Sequence, residues 1–149
     1  MPQAETIAPL ELMINRTINA PRERVFRAWT EAEALNRWFS PDPAWVVTSS
    51  VDLRVGGEYW IEMHKPDGQT HRAKGMYREI HRPDRLVFTW TAGSCGATAV
   101  EDSLVTVEFY EVDGKTQLTL THQQFRDADS RDRHNQGWNG CLDRLQQIF

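Results

Sequence analysis

The sequence predicts an α+β domain, and three observations carry the prediction. One strand-like segment and two short helical segments come first, six consecutive alternating segments joined by tight turns follow, and one long amphipathic segment ends the chain. Strands grouped in this way pair antiparallel and leave the helices to pack on one face of a single sheet. The last segment, His134 to Phe149, carries Trp138, Cys141, Leu142, Leu145 and Phe149 on one helical stripe, with Asn139, Asp143, Arg144 and Gln146 opposite. Burying four or five such side chains is worth on the order of 10 kcal/mol before entropy is charged. A helix this short is marginal alone in water, so the strands must offer it an apolar surface.

Leu10 to Asn19 reads as the first strand, with Leu12, Ile14 and Ile18 on one face and Arg16 sharing that face. Pro21 stops it and suits the opening turn of a helix whose buried side is Val25, Phe26 and Trp29. Thr30 with Glu33 three residues on predicts a capping box for a second short helix bearing Leu35, Trp38 and Phe39. Val46 to Leu53 alternates, turning Val47, Val51 and Leu53 inward. Pro66-Asp67-Gly68 fits a three-residue hairpin loop. That loop pairs Met63 with His71, Ile61 with Ala73 and Tyr59 with Gly75. It leaves Glu62 opposite Arg72 and Trp60 opposite Lys74 on the wet face, where a cation–π contact is expected.

Arg85 to Thr91 is a strand with Leu86, Phe88 and Trp90 inside, and Ala92 to Asp102 reads as a loop. Asp113-Gly114 sets a two-residue hairpin between Leu104–Glu111 and Lys115–His122, so that Phe109 faces Leu118, Val107 faces Leu120 and Val105 faces His122. Gln123 to Arg133 reads as a charged linker carrying Phe125, with Asp129 or Ser130 to cap the final helix. Residues 1–9 are expected to be a flexible N-terminus and 10–149 a single domain.

The 149 residues carry a net charge of −4 with both signs mixed, which argues against nucleic acid or an anionic membrane as partner. No apolar run reaches the roughly 20 residues that span a bilayer, so membrane insertion is not expected. Two cysteines, Cys95 and Cys141, are too few for a disulfide framework, and the expected compartment is the cytoplasm. No catalytic triad order, phosphate loop, dinucleotide fingerprint or close metal-ligand spacing is present, so no cofactor or metal is expected.

Several stretches resemble one known family. They are Ile18-Asn19-Ala20-Pro21 running into Val25-Phe26-Arg27-Ala28-Trp29-Thr30, then Trp38-Phe39, Gly56-Gly57-Glu58-Tyr59, Gly75-Met76-Tyr77, Pro83 through Trp90, and Gly137-Trp138 with Leu142 and Leu145. The pattern resembles the C-terminal domain of the activator of the heat-shock protein 90 ATPase, within the START-like (SRPBCC) superfamily. The resemblance implies a helix-grip fold, a curved antiparallel sheet wrapped around the C-terminal helix with a cavity between. It also implies a small, largely apolar molecule as ligand and, through the co-chaperones that give the family its name, a chaperone partner. Two alternatives to a plain binding protein stand beside it: an enzyme of cyclase or hydrolase type acting on such a ligand, and a co-chaperone-like protein-interaction module.

Under that fold, Trp38, Phe39, Tyr59, Met63 and Trp90 are expected to line the cavity from the strands and the second helix. Phe109, Trp138 and Leu142 complete the apolar wall. His71 and His122, both turned inward by the hairpin registers, are the expected polar groups, each more readily a hydrogen-bonded wall residue than an acid–base group. Arg16 is either an anchor for a ligand carboxylate or an edge residue whose head reaches water. Cys141, on the buried stripe, is expected to be an inert small residue.

Overall fold

The computed structural model describes residues 10–92 and 100–149. The expectations for residues 1–9, for Cys95 and for most of the 92–102 loop therefore lie outside the described residues. In chain order the elements are β1 (Leu10–Ile18), α1 (Arg22–Thr30), α2 (Ala32–Trp38), β2 (Val46–Val51), β3 (Glu58–His64), β4 (Thr70–His81), β5 (Arg85–Ala92), β6 (Val100–Val112), β7 (Lys115–Phe125) and α3 (Ala128–Ile148). All seven strands form one antiparallel sheet in the order β1-β7-β6-β5-β4-β3-β2, with the long C-terminal helix completing an α+β helix-grip fold.

Turn chemistry sets the registers. The loop after Lys65 closes with Lys65 N–H donating to the Gln69 carbonyl at 2.8 Å, and Gly68 takes the left-handed φ of 91° that such a loop needs. Met63 then pairs with His71, Ile61 with Ala73 and Tyr59 with Gly75, as the sequence predicts. Asp113 and Gly114 both have positive φ, 53° and 74°, the twist of a two-residue hairpin, and Val105 pairs with His122. On the wet face Arg72 both bonds Glu62 at 2.6 Å and stacks over Trp60. The cation–π partner is thus Arg72 rather than Lys74, because its longer planar head reaches the neighbouring ring while still holding the carboxylate.

Four expectations about local structure are corrected. Thr30 does not cap α2: it is the last residue of α1, and its hydroxyl donates back to the Phe26 carbonyl at 3.0 Å. β2 ends at Val51, so Leu53 sits exposed in the following turn. β6 begins at Val100 and β7 runs on to Phe125, which is buried. α3 begins at Ala128, six residues before the expected segment that starts at His134. Its cap is Asp127, whose carboxylate accepts from Ser130 N–H at 2.7 Å, rather than Asp129 or Ser130. A cap and polar first turns hold this extension without apolar periodicity, and that is why the pattern missed it.

The core lies between the sheet and the three helices. Val25, Phe26 and Trp29 of α1, Leu35 and Trp38 of α2, and Trp138, Leu142 and Leu145 of α3 are buried against inward residues of the strands. Arg16 fixes α3 to the sheet edge. Its guanidinium donates to Asp143 and Gln146 at 2.7 Å each and to the Asn139 side-chain oxygen at 2.7 Å. On the helix's other flank, Arg144 reaches Ser40 Oγ and the Arg37 carbonyl. Gly140 lets α3 touch Pro41, since a Cβ there would stand 2.8 Å from both Pro41 Cα and Cβ.

Candidate functional site

A cavity of about 190 Å³ lies between the first half of α3 and the β3–β5 part of the sheet. Met63 comes from β3, His71 and Ala73 from β4, and Trp90 and Ala92 from β5. The helix supplies Arg133, His134, Gly137, Trp138 and Cys141, each a helical turn or less from the last. Phe39, Pro41 and Trp45, around the end of α2 and the segment leading to β2, close the side. Gly137 matters because a Cβ there would meet no atom within 4 Å, so the helix leaves room where another residue would occupy it.

Two histidines organise the deep wall. Trp138 Nε1–H donates to His122 Nδ1 at 3.0 Å, which leaves His122 Nε2 to carry the proton and donate to Ser103 Oγ at 2.8 Å. Ser103 in turn donates to the Trp90 carbonyl at 2.7 Å. Trp90 Nε1–H donates to His134 Nε2 at 3.2 Å, and His134 Nδ1 donates to the Ser130 carbonyl at 2.8 Å. Both rings are therefore neutral, of opposite tautomer, with every nitrogen engaged. Burial holds the pKa of His122 well below its ordinary value, with His134 nearby adding to the shift. Burial likewise lowers His134, against its bond to Ser130. Burial pushes the Cys141 thiol up to about 12, so it stays protonated.

At the mouth, His71 lies parallel to Trp45, centroids 5.5 Å apart, and its pKa is lowered by partial burial and by Lys65, with Asp67 opposing. Lys65 stands over the other ring system of this rim, 5.4 Å from the Trp45 centroid.

Of the residues expected on the cavity wall, Phe39, Met63, His71, Trp90 and Trp138 are there. Trp38, Phe109 and Leu142 are packed into the solid core instead. Trp38 donates to the Ala28 carbonyl, Phe109 meets Phe26 edge-on, and Leu142 is fully enclosed. Tyr59 lies in the same packed region, its hydroxyl donating to the Thr89 carbonyl at 2.6 Å. His122 is fully buried one layer behind the wall, against the lining residues Trp138, Trp90 and His134. Arg16 is half-buried: the strand pleat turns it toward α3, where side chains of that helix take its donors. Arg133, His134, Gly137, Pro41 and Trp45 were not among the expected wall residues. The signal for Arg133 is the capped start at Asp127, which extends the helix back through it, whereas His134 and Gly137 lay within the expected helix, outside its apolar stripe.

No group of three or more His, Cys, Asp or Glu able to hold a metal occurs among the described residues. No described helix is long and apolar enough to cross a membrane.

No curated protein matches the chain. Solved structures do. The crystal structure of a Chromobacterium violaceum protein is 27% identical with a TM-score of 0.83, covering 93% of this chain and 95% of its own. A Nitrosomonas europaea protein is also 27% identical, with a TM-score of 0.76 and 93% of each chain covered. The AHSA1 protein from Silicibacter pomeroyi, 23% identical over 93% of this chain and 96% of its own, shares the fold with a TM-score of 0.80. The family model described as activator of Hsp90 ATPase homolog 1-like protein matches residues 19–149. With sheet, closing helix and sequence pattern in agreement, the chain belongs to the activator of Hsp90 ATPase homolog 1-like family.

Proposed function

We propose that this chain binds a small, largely apolar molecule in the cavity between the sheet and α3. The observation that carries the reading is the cavity itself, about 190 Å³ walled by Phe39, Met63, Trp90 and Trp138 with few polar groups at its rim, the usual form of a small-ligand site. The wall's own chemistry supports binding over turnover. His122 and His134 have both ring nitrogens committed, and the Cys141 thiol is held neutral, so none of the three offers a base or nucleophile. A cytoplasmic setting, suited to a free buried thiol, belongs to the same proposal. A chaperone partner rests on the family's name alone.

An environment-sensitive apolar dye should bind with one-site stoichiometry. Gly137→Leu, which places a side chain in the open space at the helix wall, should abolish binding while the circular dichroism spectrum stays unchanged. Dye binding that is absent, or that survives Gly137→Leu in the folded variant, makes the cavity an unused packing gap and ends the reading.

A further inference from the structure

The charge at the cavity mouth narrows the ligand class, on the footing of the binding reading above. Among the described lining residues there is no Asp or Glu. Arg133, exposed on α3, lines the cavity and has no described acidic partner. The other cations differ: Arg131, outside the cavity, pairs with Asp132 at 3.1 Å, and Arg72, which also lines the cavity, is held by Glu62 at 2.6 Å with its guanidinium over Trp60. Across the mouth Lys65 adds a second positive charge above Trp45. Asp67 is the acidic group that faces His71 there, and its carboxylate accepts from Gln69 N–H at 2.9 Å.

The deep wall is the opposite. Trp90 and Trp138 have donated their indole N–H groups to histidines, His134 has no nitrogen left, and Cys141 is a neutral thiol. A ligand therefore finds aromatic surface inside and an uncommitted guanidinium outside. An apolar cavity of about 150 Å³ takes a benzene ring, so one of about 190 Å³ suits a single ring with a short side chain.

We propose that the cavity selects small aryl carboxylates, the ring inward against Trp90 and Trp138 and the carboxylate outward on Arg133. Aromatic walls favour a ring over an alkyl chain through edge and offset contacts, and a guanidinium matches a carboxylate with two parallel donors.

Titration calorimetry with phenylacetate, phenylacetamide and phenethylamine tests this. The acid is expected to bind about tenfold tighter than the isosteric amide, and the ammonium weaker than both. Raising the salt should shrink the preference, since the anchor is exposed. In Arg133→Gln the acid should fall to the amide's affinity with the amide unchanged. Arg131→Gln, a cation of the same helix outside the cavity, should leave both as they were. Equal affinity for acid and amide, or a preference that survives Arg133→Gln, overturns the charge assignment and leaves cavity binding standing. Failure of all three ring compounds, the neutral amide included, overturns the charge assignment and the binding reading together.

Discussion

Phe39 stands between two regions of the interior that are built from the same kinds of residue and filled very differently. On one side Trp29, Leu35, Tyr59, Tyr77, Leu86 and Phe88 close to a gap of only about 10 Å³. On the other, Trp45, Trp90, Trp138 and Met63 surround about 190 Å³. Aromatic content does not separate them. What differs is the cover. The closed region lies under α1 and α2, which project bulky residues into it, whereas the open region lies under a stretch of α3 that presents Gly137. Their polar atoms also differ. In the packed side Tyr59 and Trp38 end on backbone carbonyls, while in the open side the two indoles end on histidine rings. A hollow in a protein is set by which element roofs it more than by the hydrophobicity of its floor.

The largest effect should come from exchanging equivalent residues across this divide. Trp38→Ala, in the packed region, is expected to cost about 3–5 kcal/mol in urea unfolding, with the Ala28 carbonyl also losing its donor. Trp45→Ala, at the open rim, should cost about 1 kcal/mol or less and act instead on dye affinity. Equal costs would abolish the distinction between the two regions.

Next in size is the clamp on α3. Arg16→Met should cost about 1–2 kcal/mol, a discounted figure because Asp143 is mostly exposed, and it should leave dye binding intact. A matching loss of dye affinity would show that the anchored half of the helix and the cavity half are not independent.

The third effect is in pH. Unfolded imidazoles take up protons near pH 6.5, while folded His122, His134 and His71 are all held below that. The unfolded chain then binds more protons below about pH 6.5, so stability is full above that value and falls as the pH drops through it, until the folded groups protonate too. Thermal melts from pH 8 to 5 should show this decline, and His122→Gln should flatten it even though the variant is less stable at neutral pH. An undiminished slope in His122→Gln would move the effect to His134 or to His71 at the rim. The smallest effect is a gain: Gly137→Ala should stabilise α3 by up to about 1 kcal/mol, because its Cβ meets open space.

Much of the fold was legible because short hairpin loops leave the chain little choice. Pro66-Asp67-Gly68 and Asp113-Gly114 each set a whole strand pair, so His71 and His122 could be turned inward from sequence alone. The cavity was less legible for a physical reason. Wall and solid core both demand large apolar residues facing inward, so Trp38, Tyr59, Phe109 and Leu142 look like Phe39 and Trp90 until the elements are packed. Arg133 was hidden for the opposite reason, since Ala128 to Arg133 shows no apolar period and is helical by virtue of its Asp127 cap. A glycine inside an amphipathic helix, Gly137, was the one sequence clue to unfilled space.

The strand order also bears on how the chain assembles. Among the described residues β1 has only β7 as its neighbour, Leu10 standing opposite Phe125. At ribosomal speeds the partner emerges on the order of ten seconds after the first strand does. For that interval Leu12, Ile14 and Ile18 belong to a strand whose partner has not yet been made. Contacts so distant in sequence slow folding for a chain of this size, and the β1–β7 pairing is the one that carries Arg16 to its place beside α3.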